Sequence, residues 1–128
     1  MRHGNREYPC PCCGYLTFDL PPGSDEVCRT CGWQDDVSQL RFVLSDGGAN
    51  SASLVQAQKN FVRAGRIRRP RLNGRDQQRI NERDPSWRMV DLDRDNVEHA
   101  LSGVDYGLTY PTDRTTLYYW GANYWRKR

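Results

Sequence analysis

Five cysteines in two short clusters are the most reactive side chains of this sequence, and their spacing is that of a metal site. Three of them fall within Cys10–Gly14 (CPCCG), and the other two fall within Cys28–Gly32 (CRTCG). Paired C-x2-C motifs are typical of a tetrahedral site in which four thiolates hold one metal ion, most often zinc. Four thiolates also suit iron, so the sequence leaves the identity of the metal open.

The spacing selects four of the five sulfurs as metal ligands. In a C-x2-C knuckle, the two intervening residues let the chain fold back so that both sulfurs face one ion. A glycine after the second cysteine gives that turn an unhindered backbone. Both pairs have this gap and a following glycine. The predicted ligands of one structural zinc per chain are therefore Cys10, Cys13, Cys28 and Cys31.

Cys12 is the remaining sulfur, and it is expected to point away from the metal. Three interpretations stay open for it: a packed thiol, a reactive thiol whose pKa the neighbouring metal lowers, or a ligand that replaces Cys13. A catalytic zinc, a redox pair and a disulfide or metal-free arrangement are also alternatives for the cluster. They are disfavoured because cysteines fill all four metal positions, neither pair lies in a βαβ pattern, and the cysteine count is odd.

Length and composition indicate one small α+β domain over residues 1–128. Hydrophobic residues make up 37% of the chain and the mean hydropathy is −0.89, so the core should be thin and should need a staple such as a metal. Four Trp, seven Tyr and three Phe argue against a disordered chain. With no apolar stretch typical of a signal peptide or a membrane helix, we expect a cytoplasmic protein that has no membrane partner and keeps its thiols reduced.

The residues after the second cysteine pair predict one long amphipathic helix at 51–64. Asn50 or Ser51 can cap it, Gly65 can end it, and apolar residues recur at helical spacing on one face (Leu54, Val55, Ala57, Phe61 and Val62). This helix should pack on the zinc ribbon to form a unit at 8–65. The oligomeric state is not indicated by the sequence.

The rest of the chain is predicted from local signals. A basic, mostly irregular connection is expected at 66–88, and a C-terminal helix and aromatic segment at 89–128. The helix is placed at 93–103 because Asp residues come early and a glycine late. The residues at 115–120 are dense in strand formers, although Leu117, Trp120 and Tyr124 also fit one face of a helix. This aromatic segment is expected to close the core, with an exposed protein-binding patch as the alternative.

Two acidic residues and one loop are candidates for further sites. Asp35 and Asp36 could do acid–base work or hold a cation, but a solvated or helix-capping pair is favoured. The Gly47–Asn50 loop lacks the residues of a phosphate loop and is expected to be a plain turn. Since the sequence contains no catalytic motif, we expect a protein that is not an enzyme.

Basic charge is concentrated in the middle of the chain. Residues 63–88 contain nine Arg and three acidic residues, a net charge of +6 in a chain whose total is +3. Arginine suits phosphate contacts, so a nucleic-acid-binding zinc ribbon is an alternative function. The candidate contacts are Arg66, Arg68, Arg69 and Arg71.

Three stretches carry a resemblance to a known family. They are Tyr8–Tyr15 (YPCPCCGY), Cys28–Asp36 (CRTCGWQDD), and Gly47–Asn50 (GGAN) leading into 53–61. Together they resemble the bacterial cysteine-rich CPCC domain family over roughly residues 8–65. The resemblance implies a small zinc-ribbon module that accompanies bacterial toxin systems. It therefore implies an immunity-type protein whose partner is a toxin domain. The expected mechanism is either steric block or the masking of a basic or acidic active-site cleft.

Overall fold

The computed structural model describes residues 8–64, 82–98 and 109–126, and it has the architecture of a small α+β domain. Its elements are short. They are β1 (Tyr8–Pro9), β2 (Leu16–Phe18), α1 (Val37–Arg41), α2 (Leu54–Ala64) and a 3-10 helix (Arg114–Leu117). The two strands form one antiparallel sheet, and the remaining described chain consists of turns and irregular segments.

The small sheet frames the first cysteine pair. β1 and β2 pair with Tyr8 opposite Phe18 and Pro9 opposite Leu16, with an irregularity in the register between Tyr8 and Pro9. The first cysteine cluster lies in the connection between the strands. An isolated antiparallel bridge joins Tyr15, just before β2, to Arg83 near the end of the basic stretch 63–88.

The short helix α1 begins at an acidic cap. One carboxylate oxygen of Asp36 accepts hydrogen bonds from the backbone N–H of Ser38 at 2.9 Å and of Gln39 at 3.2 Å. Its other oxygen accepts the N–H of Ala49 at 2.9 Å. The helix-capping interpretation of Asp36 is therefore confirmed, although the sequence did not predict a helix at this place.

The helix α2 begins three residues later than predicted, at Leu54. Ser53 is its cap, since the Ser53 hydroxyl accepts the N–H of Gln56 at 3.1 Å. The predicted cap Asn50 is instead buried, and its side-chain amide bonds both backbone groups of Gln34. Asn50 was therefore wrongly predicted as the cap, because these hydrogen bonds occupy its side chain.

A long amphipathic helix is not confirmed. The helix α2 has eleven residues, and its buried residues are Leu54, Ala57 and the polar Gln58. Val62, which the helical spacing placed on the apolar face, is 66% exposed. The buried face is therefore narrower than predicted, and a hydrogen-bonding amide lies in the middle of it.

The predicted strand at 115–120 is wrong. The chain forms a 3-10 helix there, because Asp113 caps it by accepting the N–H of Thr115 at 3.0 Å. The hydroxyl of Thr116 donates to the Asp113 carbonyl at 2.7 Å. In a strand, this carbonyl would instead accept a hydrogen bond from a neighbouring strand. The expectation that this segment closes the core is met, since Leu117, Tyr118 and Tyr119 are buried.

The helix predicted at 93–103 is absent from its described part, which is residues 93–98. Asp91 organises a turn there: the N–H groups of Arg94 and Asp95 donate to its carbonyl at 3.0 and 2.7 Å. The carboxylate of Asp95 accepts the N–H of Asp91 at 2.7 Å and so closes the turn. Residues 99–103 and residues 66–81 of the predicted connection lie outside the described residues.

The core is centred on the cysteines. It contains all five of them together with buried aromatic and aliphatic residues (Phe18, Trp33, Leu40, Val43, Leu54, Val97, Leu117). The sulfur cluster is thus the centre of packing, as expected for a chain with few large apolar residues. No helix among the described residues is both long enough and apolar enough to cross a membrane.

Candidate metal centre

The two cysteine pairs form knuckles with matching backbone geometry. In the first, Gly14 N–H donates to the Cys10 carbonyl at 2.7 Å, and Cys10 N–H donates to the Tyr15 carbonyl at 2.9 Å. In the second knuckle, Gly32 N–H donates to the Cys28 carbonyl at 2.9 Å, and Cys28 N–H donates to the Trp33 carbonyl at 2.8 Å. Both glycines have positive φ, 82° and 93°, which explains why glycine follows each pair.

The four sulfurs predicted from the spacing lie together. The Sγ atoms of Cys10, Cys13, Cys28 and Cys31 all fall within 4.8 Å of one another. Two of the Sγ–Sγ distances, Cys10–Cys31 and Cys13–Cys28, are 3.7 Å. A tetrahedral ion with zinc–sulfur bonds of about 2.3 Å requires about 3.8 Å between sulfurs, so the cluster has the size of a metal site.

Hydrogen-bond donors around the sulfurs suit negatively charged thiolates. The Thr17 hydroxyl donates to Cys28 Sγ at 3.2 Å, and the N–H of Thr30 donates to the same sulfur at 3.3 Å. The N–H of Trp33 donates to Cys31 Sγ at 3.4 Å. Donors of this kind orient metal ligands and stabilise their charge.

The pKa values of the four thiols indicate which of them hold a proton that a metal ion would have to displace. Burial raises the pKa of Cys10, Cys13 and Cys31 above the ordinary thiol value. Burial alone would also raise the pKa of Cys28, but hydrogen bonds from the other thiols and from Thr17 lower it overall. Since a metal binds thiolates, loading this cluster must release the protons that the buried thiols hold.

Cys12 is not one of the four clustered sulfurs, although its side chain lies within hydrogen-bonding reach of Cys31. It is fully buried within the core. Its position between Pro11 and Cys13 puts it in the turn of the first knuckle. Its assignment as a reactive thiol stays a prediction, and a reagent would reach this sulfur only after the knuckle opens.

The segment 82–88 clamps the first knuckle from outside. The N–H of Asp84 donates to the Gly14 carbonyl at 2.8 Å, and Arg83 Nε donates to the Cys13 carbonyl at 2.8 Å. The Arg83 guanidinium lies between two rings, 4.6 Å from the centre of Tyr15 and 4.8 Å from that of Trp87. The sequence predicted only an irregular connection at these residues, so the clamp was missed.

Two side chains meet at the carbonyl of Pro11, inside the knuckle. Trp87 Nε1 donates to it at 2.8 Å and Gln58 Nε2 at 3.0 Å. Gln58 also donates to the Tyr119 hydroxyl at 2.8 Å, and its Oε1 accepts the N–H of Val90 at 2.9 Å. One buried amide therefore joins the knuckle, α2, the segment after the clamp and the aromatic segment.

The other candidate residues have structural partners or lie outside the described residues. Asp35 is buried rather than solvated and accepts three hydrogen bonds at one oxygen, from the N–H of Gly23 and from the N–H and hydroxyl of Ser24. Burial raises its pKa, and this acceptor role holds the loop before the second knuckle. The arginines proposed for nucleic acid, Arg66, Arg68, Arg69 and Arg71, lie outside the described residues.

Comparison with known families agrees with this geometry. The model of a family described as cysteine-rich CPCC matches residues 8–82, more than half of the 128-residue chain. The chain belongs to the cysteine-rich CPCC family. A search of curated proteins found no match.

The match within the CPCC family extends further than the sequence resemblance suggested. It ends at residue 82 rather than near 65, and so stops where the clamp begins. The four-cysteine cluster lies wholly inside the matched region. Family membership and the cluster together indicate a metal-binding module.

Proposed function

We propose that this CPCC protein is a non-enzymatic, zinc-binding protein-interaction module. The observation that supports it best is the cluster itself: four fully buried sulfurs within 4.8 Å of one another, two pairs of them at the 3.7 Å that suits a tetrahedral ion. Cysteine sulfurs occupy all four positions of such a site, so no position is left for a substrate. The zinc would hold the two knuckles together and stabilise the thin core, without doing chemistry.

The finer part of the proposal is an immunity-type role, in which the protein neutralises a cognate bacterial toxin by steric block. Its support is the family resemblance together with a rigid, metal-stapled scaffold that can present a preformed surface. The site of action would be the cytoplasm, since a reducing compartment keeps five cysteines free of disulfides.

Native mass spectrometry of the protein isolated from its own cells tests the proposal. We expect a mass increment of one zinc per chain and a second protein bound to the zinc-loaded form. The bound protein should be toxic when expressed alone, and co-expression of this chain should restore growth. A chain that carries iron, no metal, or nucleic acid in place of a protein would contradict the proposal.

A matched pair of variants makes the growth test specific. Cys10→Ser removes one of the four clustered sulfurs and should abolish both zinc binding and protection. Cys12→Ser makes the same chemical change at the buried sulfur outside the cluster, and it should preserve both. Equal protection by the two variants would show that the metal cluster is not needed for the activity.

A further inference from the structure

A groove of about 720 Å³ lies beside the aromatic segment, and we call it the 88–126 groove. Its volume is in the range of about 300–1,000 Å³ that is typical of binding sites. Every residue that lines it follows residue 82, where the family match ends. The groove therefore belongs to the part of this chain that the shared family module does not include.

The floor of the groove is held in place by hydrogen bonds and ring contacts. The Tyr119 hydroxyl donates to the Arg88 carbonyl and accepts from Gln58, which also bonds the first knuckle. Trp120 Nε1 donates to Asp84 in the clamp at 2.9 Å, and the Trp120 and Tyr119 rings meet edge to face at 4.9 Å. A preformed floor lowers the entropy cost of binding a partner.

Each of the three arginines in the groove has an acidic neighbour, but two of them are also held by hydrogen bonds. Arg88 makes a two-pronged ion pair with Asp95, at 2.9 and 2.6 Å. Arg126 donates to the Asn96 carbonyl and lies 4.0 Å from Glu98. A single carboxylate can use the third arginine alone, whereas a phosphate group, which carries more charge, would have to compete for the two arginines that these contacts hold.

Arg94 is the third arginine, and it differs from the other two. Its side chain is 74% exposed, and the carboxylate of Asp91 approaches it only to 3.9 Å. An exposed pair at that distance is worth little and is easily exchanged for a better one. Arg94 can therefore turn to a carboxylate on a bound partner, next to the partly buried rings of Trp120 and Tyr124.

We propose that the 88–126 groove is a docking surface for a protein loop that presents an apolar side chain beside a carboxylate. The apolar side chain packs on Trp120 and Tyr124, and the carboxylate pairs with Arg94. Arginine and aromatic residues are the side chains that contribute most at protein interfaces. This inference rests on the proposed function and specifies the surface and the chemistry of its partner.

Two synthetic peptides test the groove before any natural partner is identified. One is a Gly-Ser-flanked Asp-Trp-Asp peptide with blocked ends, and the other replaces both Asp residues with Lys. We expect the acidic peptide to shift the NMR signals of the Trp120 indole and the Gly121 amide in the zinc-loaded protein. The lysine peptide should leave these signals unchanged.

Variants at exposed positions sharpen the peptide test. Arg94→Glu should weaken binding of the acidic peptide at least about threefold and improve binding of the lysine peptide. Arg63→Glu makes the same charge change on exposed α2, outside the groove, and should alter neither. Ala122→Arg should fill the groove and block the acidic peptide, whereas Asn123→Arg, at the exposed neighbour outside the lining, should not.

Two results would overturn the docking inference. One is the absence of any shift at Trp120 and Gly121 with the acidic peptide, and the other is binding that persists in Ala122→Arg. If a toxin still co-purifies with the zinc-loaded protein in either case, the proposed function stands and only the surface is wrong. If the peptide binds as expected but no toxin is found, the proposed function fails and the groove inference holds.

Discussion

Gly14 shows at the scale of one residue how tightly the first knuckle is enclosed. Its φ is 82°, and a side-chain carbon added there would lie 2.6 Å from the Trp87 ring. The glycine therefore serves the turn geometry and the contact with the clamp at once. The sequence supports the first role, because a glycine follows each C-x2-C pair, but only the fold reveals the second.

Gly14→Ala tests that double role, with Gly47→Ala as the matched control. Gly47 has a similar φ of 72° but no heavy atom within 4 Å of an added carbon. Gly47→Ala should cost only the left-handed backbone penalty, about 1–2 kcal/mol. Gly14→Ala should cost about 1–3 kcal/mol more because of overpacking. Urea unfolding of the zinc-loaded proteins measures both, and equal losses would contradict the contact.

The distinction between neighbouring sulfurs is the second prediction for single residues. Cys13→Ser should reduce zinc binding to less than one ion per chain, because its sulfur belongs to the four-sulfur group. Cys12→Ser should retain one zinc, because its sulfur lies outside that group. Metal analysis of the two purified variants checks this. Retention of zinc by Cys13→Ser would indicate that Cys12 can replace its neighbour.

At the scale of elements, the clamp 82–88 supplies hydrogen bonds that the short strands lack. The sheet has two strands, of two and three residues, and an isolated hairpin of this kind is marginal in water. An isolated β-bridge between Tyr15 and Arg83 adds backbone pairing next to β2, and the Leu16 N–H donates to the Glu82 carbonyl at 2.9 Å. The conformation of the first knuckle and its small sheet thus depends on contacts with a segment that is distant in sequence.

Arg83→Met tests the clamp as an element. It keeps a long apolar stem but removes the hydrogen bond to the Cys13 carbonyl and the stacking between Tyr15 and Trp87. We expect one zinc per chain as before, with transfer to a competing chelator accelerated by up to about thirtyfold, since the lost hydrogen bond and the lost stacking are worth about 1 kcal/mol each. Arg94→Met, at an exposed arginine, should leave the rate unchanged.

The elements also show where sequence reasoning succeeds and where it stops. The knuckles were predictable because two residues between cysteines and a following glycine fix a local turn. The strand at 115–120 was predicted wrongly because the residue types favour a strand, whereas the Asp113 cap stabilises a 3-10 helix at the start of this segment. The clamp was missed because Arg83 and Trp87 act through contacts with residues about seventy positions earlier, and no local pattern encodes such pairing.

At the scale of the whole molecule, the sulfur cluster takes the place of a large apolar core. All five cysteines are fully buried, and the other core residues pack around them. We therefore expect the energy of metal binding at this cluster to contribute directly to folding, as in other small domains built on a metal. Partner binding should depend on the metal for the same reason.

Removal of the metal should loosen the entire domain. We expect a chelator to abolish the near-ultraviolet circular dichroism of the buried tryptophan and tyrosines, and added zinc to restore it. Restoration should weaken as pH falls, because burial raises the pKa of Cys10, Cys13 and Cys31 and protons then compete with the metal. Zinc titrations at several pH values check the sign, and an affinity that rises at lower pH would contradict it.

Whether the cluster is a closed structural zinc site can be decided by zinc K-edge X-ray absorption on the protein isolated from its own cells. We expect four sulfur neighbours at about 2.3 Å, with no nitrogen or oxygen in the coordination shell. A shell of three sulfurs with one lighter atom, or the absence of zinc, would contradict a closed site built by Cys10, Cys13, Cys28 and Cys31.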